Sequence, residues 1–253
     1  MIDTHCHLTD PRLHEQLDDV LSRAREAGVE RIITIGTASA DDVSVLRLSR
    51  RLTHVRCAVG LHPNYVTEEE LAALEALEGL QADPNVLALG EMGLDYHHKF
   101  APRALQAKAF EFQLQLARNV GKPVVIHCRE AIDDTLAIMA NFKHVPAVFH
   151  CFTGTADEAR RVLDAGYLIG FTGIVTYKNS TELKDVARFV PADRFLVETD
   201  APYLSPEPVR KVKTNEPSFV MHTASAIAGI RNISVKEIDR LTTANAMRFF
   251  GWG

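Results

Sequence analysis

Eight short runs rich in apolar and β-branched residues, each followed by a stretch with helical spacing, constrain this chain more than any other feature. The runs cover residues 1–7, 31–36, 54–60, 86–91, 124–127, 147–150, 167–173 and 195–200. Strands separated by helices must lie parallel, joined by right-handed crossovers, and eight such units can close into a barrel. Between the runs, Leu13, Leu17, Val20, Leu21 and Ala24 recur at helical spacing until Gly28. A helix follows over residues 40–51, and Leu105, Ala109, Phe112 and Leu116 read as one buried helix face. The pairs Thr67/Glu70, Thr155/Glu158 and Ser234/Glu237 have the spacing of capping boxes. The last of them opens a helix running to about Phe250 that belongs outside the barrel. No linker, low-complexity tract or repeat divides the chain, so the reading is a single domain over residues 1–253. It is an α/β protein, a (β/α)8 TIM barrel with an extra C-terminal helix; a doubly wound open sheet is the alternative.

Composition excludes several classes. With 46% hydrophobic and 24% charged residues the chain is of ordinary globular type. No segment reaches the roughly 18 consecutive apolar residues of a membrane span. The start lacks a basic region followed by an apolar stretch and a small-residue cleavage site, so a cytoplasmic protein is expected. Cys6, Cys57, Cys128 and Cys151 show no Cys-x-x-Cys spacing. They read as small buried strand residues of a reducing compartment. A net charge of -5 weighs against a protein that coats nucleic acid, but not against a metal enzyme with a local basic patch.

The polar residues that end the runs are His5 and His7, Glu91, His127, His150 and Asp200. Barrel active sites lie at the C-terminal ends of the strands, so in a barrel these six converge on one face. Alternation along a strand projects His5 and His7 together and turns Cys6 away; Cys128 and Cys151 are excluded as ligands on the same ground. A lone histidine at a strand end is usually a hydrogen-bonded core or loop residue, and Asp200-Ala201-Pro202 could be a plain turn. Their joint placement points instead to metal. Four imidazoles and two carboxylates suit two borderline divalent ions such as Zn²⁺ or Mn²⁺, while Mg²⁺ ordinarily takes more oxygen. Six side chains do not fill two separate shells, so one carboxylate, Glu91, must bridge.

At these residues the sequence resembles a known family. His5-Cys6-His7, Gly60-Leu61-His62-Pro63, Gly90-Glu91-Met92-Gly93-Leu94-Asp95-Tyr96, His127-Cys128-Arg129-Glu130-Ala131, His150-Cys151-Phe152-Thr153-Gly154, Glu198-Thr199-Asp200-Ala201-Pro202-Tyr203-Leu204 and Asn215-Glu216-Pro217 are similar to the motif series of TatD-type deoxyribonucleases, in the same order. The resemblance implies an amidohydrolase-like barrel and a nuclease dependent on two divalent ions (Mg, Mn or Zn), often a 3′ to 5′ exonuclease. It implies that His5, His7, Glu91 and Asp200 hold one ion and that Glu91 bridges to a second held by His127 and His150. It implies a DNA substrate, single-stranded or at 3′ ends. Met92 stands where Ile or Thr is commoner, and residues 209–214 replace a shorter basic run, which puts only the substrate loop in question.

Two divalent ions close together can activate a shared water for attack on a phosphodiester without a covalent intermediate. Asp200 is placed to take that water's proton, and Glu91 is the other carboxylate of the reaction. His62 reads as a hydrogen-bond donor to phosphate or scissile oxygen, or as a loop cap. Arg129 reads as a partner of Glu91 or a phosphate clamp. Lys178, Lys213 and their neighbours Arg210 and Lys211 supply positive charge near the mouth, or surface solvation. Tyr203 reads as a base-stacking or a packing residue. The rival enzyme is a small-molecule amidohydrolase, lactonase or phosphoesterase of the same barrel class. Such enzymes often bridge their metals with a carboxylated Lys on the fourth strand, where this chain offers Glu91. A non-catalytic binding module is the other rival, and the six filled ligand positions weigh against it. Nothing demands a protein partner, and a monomer is expected.

Overall fold

The computed structural model describes residues 1–253. Its strands are β1 Ile2–Cys6, β2 Arg31–Ile35, β3 Val55–Val59, β4 Val86–Asp95, β5 Val124–Arg129, β6 Ala147–Phe149, β7 Leu168–Phe171 and β8 Phe195–Val197. They form one sheet in the order β1 to β8. The segment after β8 returns to β1: the His7 N–H donates to the Ala201 carbonyl at 2.7 Å and the Asp200 N–H to the His5 carbonyl at 2.9 Å. Sequential parallel order with the last strand against the first is the (β/α)8 barrel, and the open sheet is set aside. The chain divides into two compact units, Met1–Thr34 with Cys151–Gly253, and Ile35–His150.

In the first unit β1 pairs with β2 and β7 with β8, all parallel. The register of β1 shifts between Asp3 and Cys6, so His5 sits in an irregular turn of the strand rather than in a regular ladder. The helix Ala156–Asp164 has the full capping box: Glu158 N–H donates to Thr155 Oγ1, and Thr155 N–H to the Glu158 carboxylate. The helix Val235–Phe250 begins at the Ser234 cap and packs on β1 and β8. Arg31 reinforces this packing through the Trp252 carbonyl, and the terminal ammonium through Asp239 at 3.2 Å. The early helical pattern is two helices, Pro11–His14 and Leu17–Glu26, and Gly28 ends it with φ +83°.

In the second unit β3 to β6 are paired in parallel. β4 runs four residues beyond the expected end at Glu91, and its register slips between Leu89 and Met92, the bulge that carries Gly90 and Glu91. Bulges re-aim side chains, and they are frequent beside active sites. Gly93 has φ +140°, and a Cβ there would lie 2.0 Å from the His127 carbonyl oxygen, so β4 can pass β5 only with glycine at that position.

The helix Arg103–Val120 corrects one member of its expected face: Ala109 and Leu116 are buried but Phe112 is exposed, and the buried stripe runs through Gln106, Ala109, Phe110, Gln113, Leu114, Leu116 and Ala117. Two glutamines are tolerated there because both serve the main chain. Gln106 accepts from Asp95 N–H at 2.8 Å and donates to its carbonyl at 3.0 Å. Gln113 does the same for Leu61, at 2.8 and 3.2 Å. At Thr67 only half of the expected capping box forms, since Glu70 turns away to bind Ser39 N–H and Oγ.

Candidate metal centre

In the first unit the irregular end of β1 and the segment after β8 bring together His5, His7 and Asp200, whose ligand atoms lie within 4.8 Å of one another. His5 Nε2 stands 3.7 Å and His7 Nε2 3.4 Å from Asp200 Oδ1. These separations are long for hydrogen bonds. They match the roughly 3.4 Å edge between two ligands that each sit about 2.1 Å from one tetrahedral ion. Two imidazoles and a carboxylate are also the donor set of borderline divalent ions, so the residues present fit a metal. Asp200 has φ +56°, a left-handed conformation that Asp tolerates better than most residues.

Buried carboxylates support this group. Asp3 accepts from Thr199 N–H at 2.9 Å and Thr199 Oγ1 at 2.7 Å, and burial pushes its carboxyl up to about 7. Glu198 accepts from Cys151 N–H at 2.6 Å. Both were passed over in the sequence, where a carboxylate inside a run gives no sign of its partners. Tyr203 is 46% exposed, its ring edge-on to His7 at 6.1 Å and covered by the Arg12 guanidinium at 4.5 Å. Lys178 and Lys213 are exposed, and Arg210 lies over the Tyr177 ring at 3.5 Å.

In the second unit Glu91 is the hub. Its Oε1 lies 2.8 Å from His127 Nδ1, 3.3 Å from His62 Nε2 and 3.6 Å from His150 Nε2. His127 Nε2 is 3.0 Å from Asp95 Oδ2, and a carboxylate only accepts, so that nitrogen carries the proton. The other nitrogen then faces Glu91 with a lone pair unless a proton or a cation lies between them, which is again what a metal supplies. Burial pushes His127 down, but the bonds to Asp95 and Glu91 outweigh it and hold the imidazole above its ordinary pKa. Burial likewise acts to raise Asp95, and the bonds from His127 and His98 overcome it, leaving the carboxyl well below the usual range. Asp95 was missed because β4 was ended at Glu91; continued to its true length, Glu91, Gly93 and Asp95 alternate along one strand.

His62 satisfies both readings of it. Its Nδ1 accepts from Asn64 N–H at 3.0 Å, capping the turn Pro63–Tyr65. The proton is therefore on Nε2, which points at Glu91 and His127 as a donor. That makes His62 a poor metal ligand and a suitable donor to substrate. Arg129 ends β5 exposed. Cys6 turns to the Ile33 carbonyl and Cys128 to Thr135, away from their histidine neighbours as alternation requires. Cys151 departs from the expectation. β6 stops at Phe149, Cys151 takes φ +45°, and its Sγ comes within 4.8 Å of an Asp200 oxygen.

A barrel whose strand ends carry histidine and carboxylate clusters of ligand spacing defines a hydrolase of the metal-binding barrel class. The TatD related DNase family matches residues 2–251. A metal-dependent hydrolase of Bacillus subtilis, YabD, is 37% identical over 99% of this chain and 98% of its own length. A protein of Erwinia billingiae named 3′-5′ ssDNA/RNA exonuclease TatD is 35% identical over 99% of this chain and 98% of its own. The crystal structure of YJJV, a TatD homologue from Escherichia coli, superposes with a TM-score of 0.93 at 28% identity, covering 100% of this chain and 98% of that one. The chain belongs to the TatD related DNase family and is a metal-dependent hydrolase of that family.

Proposed function

We propose that the protein is a deoxyribonuclease that removes nucleotides from the 3′ end of single-stranded DNA. The observation that carries this reading is the pair of clusters, His5 and His7 at 3.7 and 3.4 Å from Asp200, and His127 and His150 at 2.8 and 3.6 Å from Glu91. His5, His7 and Asp200 would hold one divalent ion, Mg²⁺, Mn²⁺ or Zn²⁺, and Glu91, His127 and His150 a second. Bound divalent ions lower the pKa of water and neutralise charge on a phosphodiester.

The side chains supply the remaining chemistry. Asp200, the carboxylate beside His5 and His7, accepts the proton of the attacking water. His62 donates its Nε2 proton to a phosphate oxygen, held in that tautomer by Asn64. Asp95 keeps His127 oriented, as outer carboxylates do for metal-bound imidazoles. Arg129, Lys178 and Lys213 are exposed cations suited to phosphates farther along the strand, and Tyr203 offers a half-exposed ring to a base. No helix is long and apolar enough to cross a membrane, and the four cysteines are free thiols, as suits a reducing setting.

The test is incubation of metal-supplemented protein with 5′-labelled and 3′-labelled single-stranded DNA and the matching RNA. The 5′-labelled strand is expected to shorten one nucleotide at a time while the 3′ label leaves as a mononucleotide. Internal cuts, or no hydrolysis with any of the three metals, would overturn the reading.

A further inference from the structure

Phe100 is the most exposed large apolar side chain of the molecule, 72% accessible. Its ring is nonetheless fixed, lying parallel to His98 with centroids 5.4 Å apart and planes 5° from coincidence. His98 is fixed in turn: its backbone N–H donates to Asp95 Oδ1 at 2.8 Å and its Nδ1 bonds Asp95 Oδ2 at 2.9 Å. That same Oδ2 binds His127 Nε2 at 3.0 Å. One buried carboxylate thus orients both an imidazole of the candidate metal centre and the foundation of an exposed aromatic stack. The other exposed phenylalanines, Phe112 and Phe189, lie on helices and have no such link.

We propose that the His98–Phe100 stack is a platform for an unpaired nucleobase of the strand whose phosphodiester meets Glu91 and His127. The proposal rests on the nuclease reading above. An exposed flat ring held in place by one stacked neighbour suits a ligand that is itself flat. Bases of single strands meet that description, and every base offers a π face, so the platform is sequence-tolerant. A base inside a duplex has both faces covered by its neighbours and cannot use it. Lys99, exposed between the two rings in sequence, adds a positive charge for the adjoining phosphate.

The test compares single-stranded DNA bearing ordinary bases at its 3′ end with the same strand made abasic at its last three positions. Phe100→Ala is expected to raise KM for the base-bearing strand at least ~5-fold, the equivalent of the weaker base-stacking energies, with kcat within about 2-fold. The abasic strand should show no change. Phe100→Trp should restore the wild-type KM, and Phe112→Ala should leave both substrates unaffected. An unchanged KM, or an equal loss on the two strands, overturns the platform. Where the wild-type protein cleaves neither strand, the nuclease reading fails by itself. Equilibrium binding of a fluorescent oligothymidylate then decides the platform, and equal affinity of wild type and Phe100→Ala rejects it.

Discussion

Asn215 grips the main chain on both sides of Asp200. Its Nδ2 donates to the Thr199 carbonyl at 2.9 Å and to the Tyr203 carbonyl at 2.6 Å, and its own N–H donates to the Pro202 carbonyl at 3.1 Å. Asp200 thereby keeps its left-handed backbone, and its carboxylate keeps its place beside His5 and His7. Asn215→Ala and Asn215→Asp both remove the two amide donors. Each is expected to weaken divalent-metal binding about 10- to 100-fold, the usual effect of losing a group that orients a ligand. Calorimetric titration with Mn²⁺ or Zn²⁺ measures this, and wild-type affinity in both variants would dismiss the bracket.

Asp200→Asn separates metal binding from proton acceptance. The amide still offers an oxygen but cannot act as a base near neutral pH. The variant is expected to bind DNA and at least one metal while hydrolysing about 100-fold more slowly or worse at saturating Mg²⁺ or Mn²⁺, in the range of general-base contributions. Full rescue by added metal would remove Asp200 from the role of base.

The thiols give a sharper contrast than alternation alone. Cys6→Ser and Cys128→Ser should leave metal content unchanged, because both sulfurs turn away from the histidines beside them. Cys151→Ser alters an atom near Asp200 and is the one substitution of the three expected to shift metal stoichiometry or affinity. Elemental analysis of the three purified variants decides it; a loss confined to Cys6→Ser or Cys128→Ser would contradict the geometry.

Asp42 predicts a pH dependence of stability. It lies buried in the helix Ser39–Arg51 and accepts from Gly60 N–H at 3.0 Å. Burial pushes its carboxyl well above the ordinary value of 3.8. A raised folded-state pKa means the folded protein holds the proton more tightly than the unfolded chain. The stability so gained is complete below the unfolded value and is lost as pH rises through the folded one. Asp42→Asn, which never ionises, should therefore gain on the wild type as pH increases. Thermal melts at pH 5 and pH 8 test this, and a difference in Tm that is constant or falls with pH would refute it.

Much of the fold was legible because strands covered on both faces must be continuously apolar, and polar residues closing such runs stand out. His5, His7, Glu91, His127, His150 and Asp200 are singled out in that way. The remainder depended on features that leave no such trace. Gly90 and Gly93 made the second half of β4 look like a loop, yet they are where the strand bulges and passes β5, and so Asp95 was overlooked. Gln106 and Gln113 lie on a buried helix face because of backbone groups far away in sequence, which periodicity cannot register. The tautomer of His62 is decided by one N–H of Asn64. For Cys151, alternation gave the wrong direction because the strand had already ended.

The division of the chain sets an order of manufacture. The unit Ile35–His150 is one unbroken stretch, whereas its companion joins residues 1–34 to 151–253. During synthesis His62, Glu91, His127 and His150 are all made before any residue of that second piece. His5 and His7 emerge far ahead of Asp200 and wait for it, on the order of 10 to 40 seconds at ordinary elongation rates. A nascent chain halted in that interval holds the residues of one cluster and only the imidazole pair of the other. Completion of the His5–His7–Asp200 group is therefore a marker that translation has passed residue 200, and a prematurely released chain cannot carry it.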